Sequence, residues 1–159
     1  GTGSGAIALA LKHRCPRARL EAVDASADAL AVAAGNAGAL GLEVALRQAS
    51  WLEGGGGPYQ LIVSNPPYIA QDDPHLKALG HEPRTALVAG QDGLDDLRAI
   101  ISQAPGRLAP GGWLLLEHGW DQADAVAALL RQAGLADVGH RTDLAGIVRC
   151  SGGRRLELG

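Results

Sequence analysis

The chain has 159 residues, of which 47% are hydrophobic and 19% are charged, and its formal net charge is −3 at pH 7. This length and balance predict one globular, soluble domain that buries roughly 70% of the surface exposed in its unfolded state. They exclude a membrane helix, because no apolar run approaches the roughly 20 residues that such a helix needs, and the negative charge excludes a general attraction to nucleic-acid phosphates.

Two cysteines, Cys15 and Cys150, are too few for a disulfide framework, and we expect both thiols to be reduced. We expect no metal site, because His75 and His81 lie among acidic residues without the spacing of a zinc motif. No stretch has the composition of a signal peptide, so the expected location is the cytoplasm. Since the chain starts at Gly1 within a motif, we expect it to be part of a longer protein.

The first motif is a glycine-rich turn, Gly1-Thr2-Gly3-Ser4-Gly5, that leads directly into a predicted helix starting at Ala6. Such a turn lets a ligand approach the backbone closely, and the helix N-terminus directs free N–H groups towards that ligand. The glycine spacing fits both a dinucleotide and a nucleoside cofactor that has no pyrophosphate. The turn therefore predicts a cofactor site without choosing between the two cofactors.

The next predicted strand, residues 19–24, ends in the carboxylate of Asp24. An acidic side chain about 20 residues after such a turn accepts hydrogen bonds from the ribose hydroxyls of either cofactor. The alternative is that Asp24 only ends the strand or caps the following helix. We predict that this helix runs from its N-cap, Ser26, towards Gly41.

The rest of the chain alternates between predicted strands and helices, which indicates an α/β protein with a doubly wound, mostly parallel sheet. Further strands are predicted at residues 43–47, 61–63, 113–117, 137–141 and 154–158, the last two as an antiparallel pair. Further helices are predicted at residues 94–108, stopped by residues 110–112, and from Asp121 or Asp124 to 134. The polar stretch 70–93 shows little periodicity and is predicted to be a functional loop.

The strand at residues 61–63 ends abruptly in Asn65-Pro66-Pro67-Tyr68. Proline has no N–H for the sheet ladder and favours extended geometry in the residue before it, so the Asn65 amide is predicted to project beyond the carboxyl end of the strand. In open α/β sheets this is the end at which ligands bind. The alternative is a proline turn in which Asn65 only terminates the strand.

This tetrapeptide resembles the Asn/Asp-Pro-Pro-aromatic motif of class I S-adenosylmethionine methyltransferases that act on nitrogen bound to a planar, conjugated system. An amide nitrogen delocalises its lone pair and therefore attacks an electrophile poorly. Acceptors on its two hydrogens hold the nitrogen while it pyramidalises towards the sulfonium methyl group. The Asn65 side-chain oxygen and the Pro66 carbonyl are the predicted acceptors, and Tyr68 is predicted to stack on the planar substrate.

Three further segments resemble the HemK/PrmC family, the protein-(glutamine-N5) methyltransferases of peptide-chain release factors. They are Glu-Pro-Arg-Thr-Ala-Leu-Val-Ala-Gly at residues 82–90, Asp-Gly-Leu at 92–94 and Leu-Leu-Leu-Glu-His-Gly at 114–119. The sequence departs from the family at Ser50, where an acidic residue usually precedes Trp51, and at His81, where Phe is usual. The resemblance therefore implies a substrate class. Because Ser50 replaces the usual acidic residue, one of the implied contacts to the adenine lacks its carboxylate.

The resemblance implies the Rossmann-like fold of class I methyltransferases, with S-adenosylmethionine as cofactor and a release factor as protein partner. It implies that residues 1–159 are one catalytic domain without the first strand of that fold and without the family's N-terminal helical domain, so we expect this segment alone not to fold stably. We expect a monomer that contacts neither nucleic acid nor a membrane. The implied cofactor contacts are Gly1, Thr2, Gly3, Gly5, Asp24, Ala25, Trp51 and Asn65. The implied catalytic residues are Asn65, Pro66, Pro67 and Tyr68, and the implied substrate contacts are Asn65, Pro66, Tyr68 and Glu82.

Three rival functions are compatible with parts of the sequence. An adenine-N6 or guanine-N2 nucleic-acid methyltransferase uses the same tetrapeptide on an exocyclic amine, but the net charge of −3 and the aromatic content of 3% disfavour it. A dinucleotide-binding oxidoreductase explains the glycine turn and leaves the tetrapeptide unexplained. A scaffold with a degenerate site, the non-enzymatic alternative, is supported only by Ser50.

Overall fold

The computed structural model describes residues 1–74 and 87–157 of the chain. It divides into two compact units, Gly1–Gly54 and Gly55–Gly159, and each unit has its own sheet. No helix within the described residues is long and apolar enough to cross a membrane.

The first unit contains two parallel strands and two helices. In chain order these are α1 (Ala6–Arg14), β1 (Glu21–Asp24), α2 (Ala27–Leu40) and β2 (Ala45–Gln48). Helix α2 begins as predicted, because the Ser26 hydroxyl accepts a hydrogen bond from the Ala29 N–H at 3.2 Å. It ends at Gly41, whose φ of 62° is one that glycine adopts without strain. Since β1 and β2 pair in parallel, the loops that follow them leave the same edge of this sheet.

The second unit contains a mixed sheet of four strands. Its elements are β3 (Tyr59–Ser64), α3 (Asp95–Gln103), β4 (Leu108–Glu117), α4 (Ala123–Gln132), β5 (Leu135–Thr142) and β6 (Val148–Arg155). The strand order is β3-β4-β6-β5, with β3 parallel to β4 and β6 antiparallel to both of its neighbours, which confirms the predicted antiparallel pair. Aliphatic side chains of α3, β4 and α4 are fully buried, among them Leu97, Ile100, Leu114, Leu116, Val126 and Leu130.

The helix predicted at 94–108 is present but ends earlier than predicted, and its predicted stop at 110–112 is wrong. Helix α3 ends at Gln103, because Pro105 in the following 3-10 turn has no N–H with which to continue an α-helix. Strand β4 then starts at Leu108 and includes residues 110–112. The register with β3 shifts between the pairs Tyr59–Leu108 and Leu61–Trp113, so these breaker residues lie in a bulge of the strand.

Two further predictions at the carboxyl-terminal end need correction. The N-cap of α4 is Gln122, and neither Asp121 nor Asp124 occupies that position. The last strand covers Val148–Arg155 rather than residues 154–158. Glycines are typical of loops, but those of β6 allow neighbouring strands to approach closely. A Cβ atom on Gly152 would lie 2.7 Å from the carbonyl oxygen of Leu114 on β4.

Candidate functional site

The glycine-rich turn is held against the end of β1 by backbone hydrogen bonds. The Thr2 N–H donates to the Val23 carbonyl at 2.8 Å, and Gly5 is the N-cap of α1 with a φ of 83°. A Cβ atom on Gly5 would lie 3.2 Å from the Ala33 Cβ of α2, so a side chain at this position would crowd the helix. The turn therefore presents its backbone at the start of α1, as the sequence predicts.

The carboxylate of Asp24 lies beside this turn at the end of β1. Its two oxygens accept hydrogen bonds from the backbone N–H groups of Gly3 and Ser26, both at 2.9 Å. Burial raises the pKa of Asp24 and the hydrogen bonds from Ser26 and Gly3 lower it; the net result is a pKa below the ordinary value of 3.8. Asp24 is therefore ionised at neutral pH and has lone pairs left for hydroxyl donors.

Ala25 and Trp51 follow the two strands of the first sheet. Gln48, the last residue of β2, donates from its side-chain nitrogen to the Ala25 carbonyl at 2.9 Å. Trp51 is half-buried in the turn after β2, with a φ of 50° that non-glycine residues seldom adopt. The structure thus brings Asp24, Ala25 and the turn of Trp51 to one edge of the first sheet. Gln48 is not predictable from the sequence, because a lone glutamine at a strand end belongs to no motif.

In the second unit, Asn65 directly follows β3, as predicted. Its side chain is exposed and makes no hydrogen bond to the described part of the chain, whereas Pro66 is buried and Tyr68 is half-buried. Ser64, the residue before it, pairs with Leu116 of β4. The exposed Asn65 side chain thus lies at the carboxyl end of a parallel strand, the end at which ligands bind in open α/β sheets.

Tyr68 is held by its backbone and by its ring. Its carbonyl oxygen accepts a hydrogen bond from the side-chain nitrogen of Gln122 at 3.0 Å. The guanidinium of Arg149 on β6 lies over the ring, and the Arg149 Nη2 is 3.3 Å from the Tyr68 hydroxyl. The sequence analysis identified neither partner of Tyr68, because Gln122 and Arg149 lie far from Tyr68 in the chain.

The chain that follows Tyr68 pairs with the segment that starts at residue 87. The Ile69 N–H donates to the Leu87 carbonyl at 2.9 Å, and the Ala89 N–H donates to the Ile69 carbonyl at 3.0 Å. Further along, the Asp92 carboxylate accepts from the Leu94 N–H at 3.1 Å and from the guanidinium of Arg98. The predicted Asp-Gly-Leu motif at 92–94 therefore leads into α3 through a local hydrogen-bonded turn.

His118, which belongs to the family segment at residues 114–119, makes structural contacts. It is fully buried, its Nδ1 lies 2.9 Å from the Gly119 carbonyl, and its Nε2 lies 2.6 Å from the hydroxyl of Ser151. The same hydroxyl is 2.8 Å from Nδ1 of His140. Burial lowers the pKa of His118, so the ring is neutral at physiological pH. These contacts join β4, β5 and β6 rather than forming a reactive site.

Some predicted residues lie outside the described part of the chain. They are Glu82, His75, His81 and residues 82–86 of the first family segment. Within the described residues, no group of three or more His, Cys, Asp or Glu side chains is arranged to hold a metal ion.

Comparisons with known proteins give a family and a fold. A family model described as the methyltransferase small domain matches residues 1–90. The chain is 56% identical over 157 residues to a release factor glutamine methyltransferase of Bordetella pertussis, a match that covers 96% of this chain and 58% of the relative. The ribosomal protein L11 methylase structure from Lactobacillus delbrueckii has a TM-score of 0.72 at 21% identity, covering 98% of this chain and 67% of that one.

A second solved structure is more similar to this chain in sequence than the Lactobacillus structure. The release-factor-specific protein-(glutamine-N5) methyltransferase of Alicyclobacillus acidocaldarius is 29% identical, with a TM-score of 0.50, and the match covers 97% of this chain and 90% of that one. These structures confirm the predicted α/β fold class. The chain spans about 58% of the length of the Bordetella relative.

Proposed function

The chain belongs to the family of small methyltransferase domains, and from that membership we propose that it transfers a methyl group from S-adenosylmethionine to the side-chain amide nitrogen of a glutamine. The observation that carries this proposal is the exposed Asn65 amide, which is free of hydrogen bonds from the described residues and directly follows β3. An amide and a neighbouring proline carbonyl are acceptors suited to the two hydrogens of a planar –NH₂ group.

In the proposed reaction, the Asn65 side-chain oxygen and the Pro66 carbonyl accept the two N–H groups of the substrate amide. The amide lone pair is delocalised, so these two acceptors favour the pyramidal nitrogen that is needed for attack. S-adenosylmethionine supplies an electrophilic methyl group on its sulfonium. The nitrogen forms a bond to that carbon as the carbon–sulfur bond breaks, and the methylated amide then releases a proton to solvent. Alignment and electrostatics supply the rate, and no residue has to act as a base before attack.

The first unit contains the groups that are proposed to bind the cofactor. The backbone of Gly1, Thr2, Gly3 and Gly5 is proposed to approach the methionine part, and the ionised Asp24 to accept hydrogen bonds from the ribose. Ala25 and Trp51 are proposed to border the adenine, since they follow the same sheet edge as Asp24. A hydroxyl pair binds well to a carboxylate that already has two N–H donors fixing its orientation.

For the substrate, we propose the glutamine of the Gly-Gly-Gln motif in bacterial release factors. The support is the 56% identity to a relative named release factor glutamine methyltransferase, over 96% of this chain. Residues 82–90, with Glu82, are proposed to contact the release factor. Since the chain spans 58% of that relative, other parts of the natural protein are proposed to share in binding the release factor. We place the reaction in the cytoplasm, where translation terminates in bacteria.

The experiment that tests this proposal compares acceptors directly. The full-length protein is incubated with methyl-labelled S-adenosylmethionine and, in parallel, with a release factor, duplex DNA and ribosomal RNA, and the label is located by mass spectrometry. A release factor whose motif glutamine is replaced by glutamate serves as the matched control. We expect label on the motif glutamine alone and none on the control. Label on either nucleic acid, or on no acceptor, overturns the proposal.

A further inference from the structure

The side chain of Gln122 connects three loops of the second unit, including the one that contains the tetrapeptide. It is 9% exposed and lies at the N-cap of α4, just after β4. We propose that Gln122 is a positioning residue that fixes Asn65–Tyr68 for alignment of the substrate amide. This inference rests on the proposed function, and it assigns a role to a residue that makes no contact with substrate itself.

The contacts of Gln122 use both ends of its amide group. Its Oε1 accepts a hydrogen bond from the Gly119 N–H at 2.8 Å. Its Nε2 donates to the Tyr68 carbonyl at 3.0 Å and lies 3.4 Å from the carbonyl oxygens of Asp92 and Gly93. Only an amide side chain both accepts from an N–H and donates to carbonyls with this compact shape. Loss of the nitrogen would take this donor from the part-buried Tyr68 carbonyl and from the buried Gly93 carbonyl.

Gln122 holds the carboxyl end of the tetrapeptide Asn65–Tyr68 in place. At the first end, Ser64 is paired with Leu116 in the sheet. In the middle, the rings of Pro66 and Pro67 fix two φ angles. The hydrogen bond from Gln122 to Tyr68 then fixes the position at which the tetrapeptide leaves the sheet edge. The Pro66 carbonyl, one of the two proposed acceptors, lies between these fixed points and is therefore held in place.

Gly93 shows how closely the loops pack around this contact. A Cβ atom on Gly93 would lie 2.4 Å from the Tyr68 carbonyl oxygen and 2.9 Å from the Gln122 Nε2. Both distances are too short for any side chain, so the residue has to be glycine while Gln122 bridges the two loops. Because a small displacement of the reacting groups lowers the reaction rate by a large factor, we expect disruption of this packing to lower turnover.

The test uses Gln122→Glu, which keeps the acceptor for Gly119 and replaces the donor by a carboxylate oxygen. Gln122→Met is the uncharged second variant, and Gln132→Glu, at the exposed end of the same helix, is the matched control. We expect kcat for release-factor methylation to fall about 10- to 100-fold in both Gln122 variants. Cofactor affinity, measured by equilibrium binding, should stay close to that of the wild type, because the described contacts of Gln122 include none of the proposed cofactor residues. The control should match the wild type throughout.

Two kinetic results would overturn the positioning role. One is an unchanged kcat in variants that remain folded at the assay temperature, with only the melting temperature lowered, because that is the signature of a purely structural residue. The other is an equal loss of kcat in Gln132→Glu. Backbone hydrogen exchange gives a readout that needs no methyl acceptor: the Ile69 N–H should exchange faster in both Gln122 variants.

Different experimental results would contradict the positioning role of Gln122 and the proposed function. A wild type that leaves the release factor unlabelled contradicts the proposed function, whatever the variants do. Unchanged exchange at Ile69 in the Gln122 variants contradicts the positioning role, even where the wild type methylates the release factor.

Discussion

The guanidinium carbon of Arg149 lies 5.6 Å from the centroid of the Tyr68 ring, and the Arg149 Nη2 lies 3.3 Å from the Tyr68 hydroxyl. A cation at this distance from an aromatic ring is attracted to its π face, and the hydrogen bond fixes the orientation of the ring. β6 therefore supports the aromatic residue that is proposed to stack on the substrate amide.

Replacement of Arg149 should loosen the Tyr68 ring without removing it. We expect Arg149→Ala to lower kcat by about threefold to tenfold. Arg149→Lys should recover only part of that loss, because an ammonium keeps the charge and lacks the planar guanidinium. The measurement is steady-state methylation of a release factor. Arg154→Ala is the control on the same strand, since Arg154 pairs with Asp137, and a loss of kcat there equal to that of Arg149→Ala would contradict the prediction.

Asn65→Ala should separate cofactor binding from turnover. It removes one proposed acceptor for the substrate amide, so we expect turnover to fall about 100- to 1000-fold. S-adenosylmethionine binding should weaken far less, because Asn65 is only one of the implied cofactor contacts. Asn65→Asp keeps an oxygen acceptor at the same position and should retain more activity than Asn65→Ala. Single-turnover methylation and equilibrium cofactor binding provide the two readouts. Turnover that survives in Asn65→Ala would exclude the alignment role.

The parts of the site that sequence reasoning located are those marked by a change of pattern. The apolar run that stops at prolines placed Asn65 after a strand, and the alternation that stops at Asp24 placed the carboxylate beside the glycine turn. In both cases the physical rule is local: proline has no N–H for a ladder, and strand ends present polar groups. Local rules therefore predicted the residues that are proposed to carry the chemistry.

The parts that sequence reasoning missed depend on contacts between distant segments. Gln122 is 54 residues from Tyr68, and nothing in the sequence around Gln122 marks the carbonyl that it binds. Gly152 and Gly153 resemble a loop, yet they lie in β6. Leu114 and Leu115 leave no space for a Cβ atom at Gly152, and Leu135 crowds one at Gly153. Tertiary packing overrides local propensity at these positions, and a single sequence does not contain that information.

Asp24→Asn should weaken cofactor binding because it removes the charge that is proposed to bind the ribose hydroxyls. A hydrogen bond to a charged group contributes about 1.5–3 kcal/mol, which corresponds to about a 10- to 100-fold rise in the dissociation constant. Since the pKa of Asp24 lies below 3.8, wild-type affinity should not change through titration of this group between pH 5 and 8. Titration calorimetry at several pH values measures both effects. Asp28→Asn, in the first turn of α2, is the control and should bind normally.

His118 should make folding stability depend on pH. Its pKa is lowered in the folded protein by burial, so the unfolded chain binds the proton more readily, with an ordinary pKa of 6.5. Above pH 6.5 the His118 ring is neutral in both the folded and the unfolded state, and folding stability has its full value. Below pH 6.5 the unfolded chain takes up the proton first, so folding stability falls as the pH drops towards the lowered pKa. Urea unfolding of the wild type and of His118→Gln at pH 5 and pH 8 should show a smaller pH difference in the variant. His13→Gln, at an exposed position on α1, should keep the wild-type difference.

Gly93→Ala should be destabilising for two reasons that act together. The φ of Gly93 is 73°, a conformation that costs an alanine about 1–2 kcal/mol, and the added Cβ would lie 2.4 Å from the Tyr68 carbonyl oxygen. Relief of that contact requires the Tyr68 backbone to move, so we expect a loss of about 2 kcal/mol or more in the free energy of unfolding, together with a reduced kcat.

Gly38→Ala is the matched control: Gly38 lies inside α2 with no atom within 4 Å of the added Cβ, and alanine should stabilise the helix by about 0.5–1 kcal/mol. Urea unfolding of both variants decides the prediction. A Gly93→Ala protein as stable as the wild type would show that the loops around Tyr68 rearrange without cost, and the close packing that places the tetrapeptide would then have no energetic basis.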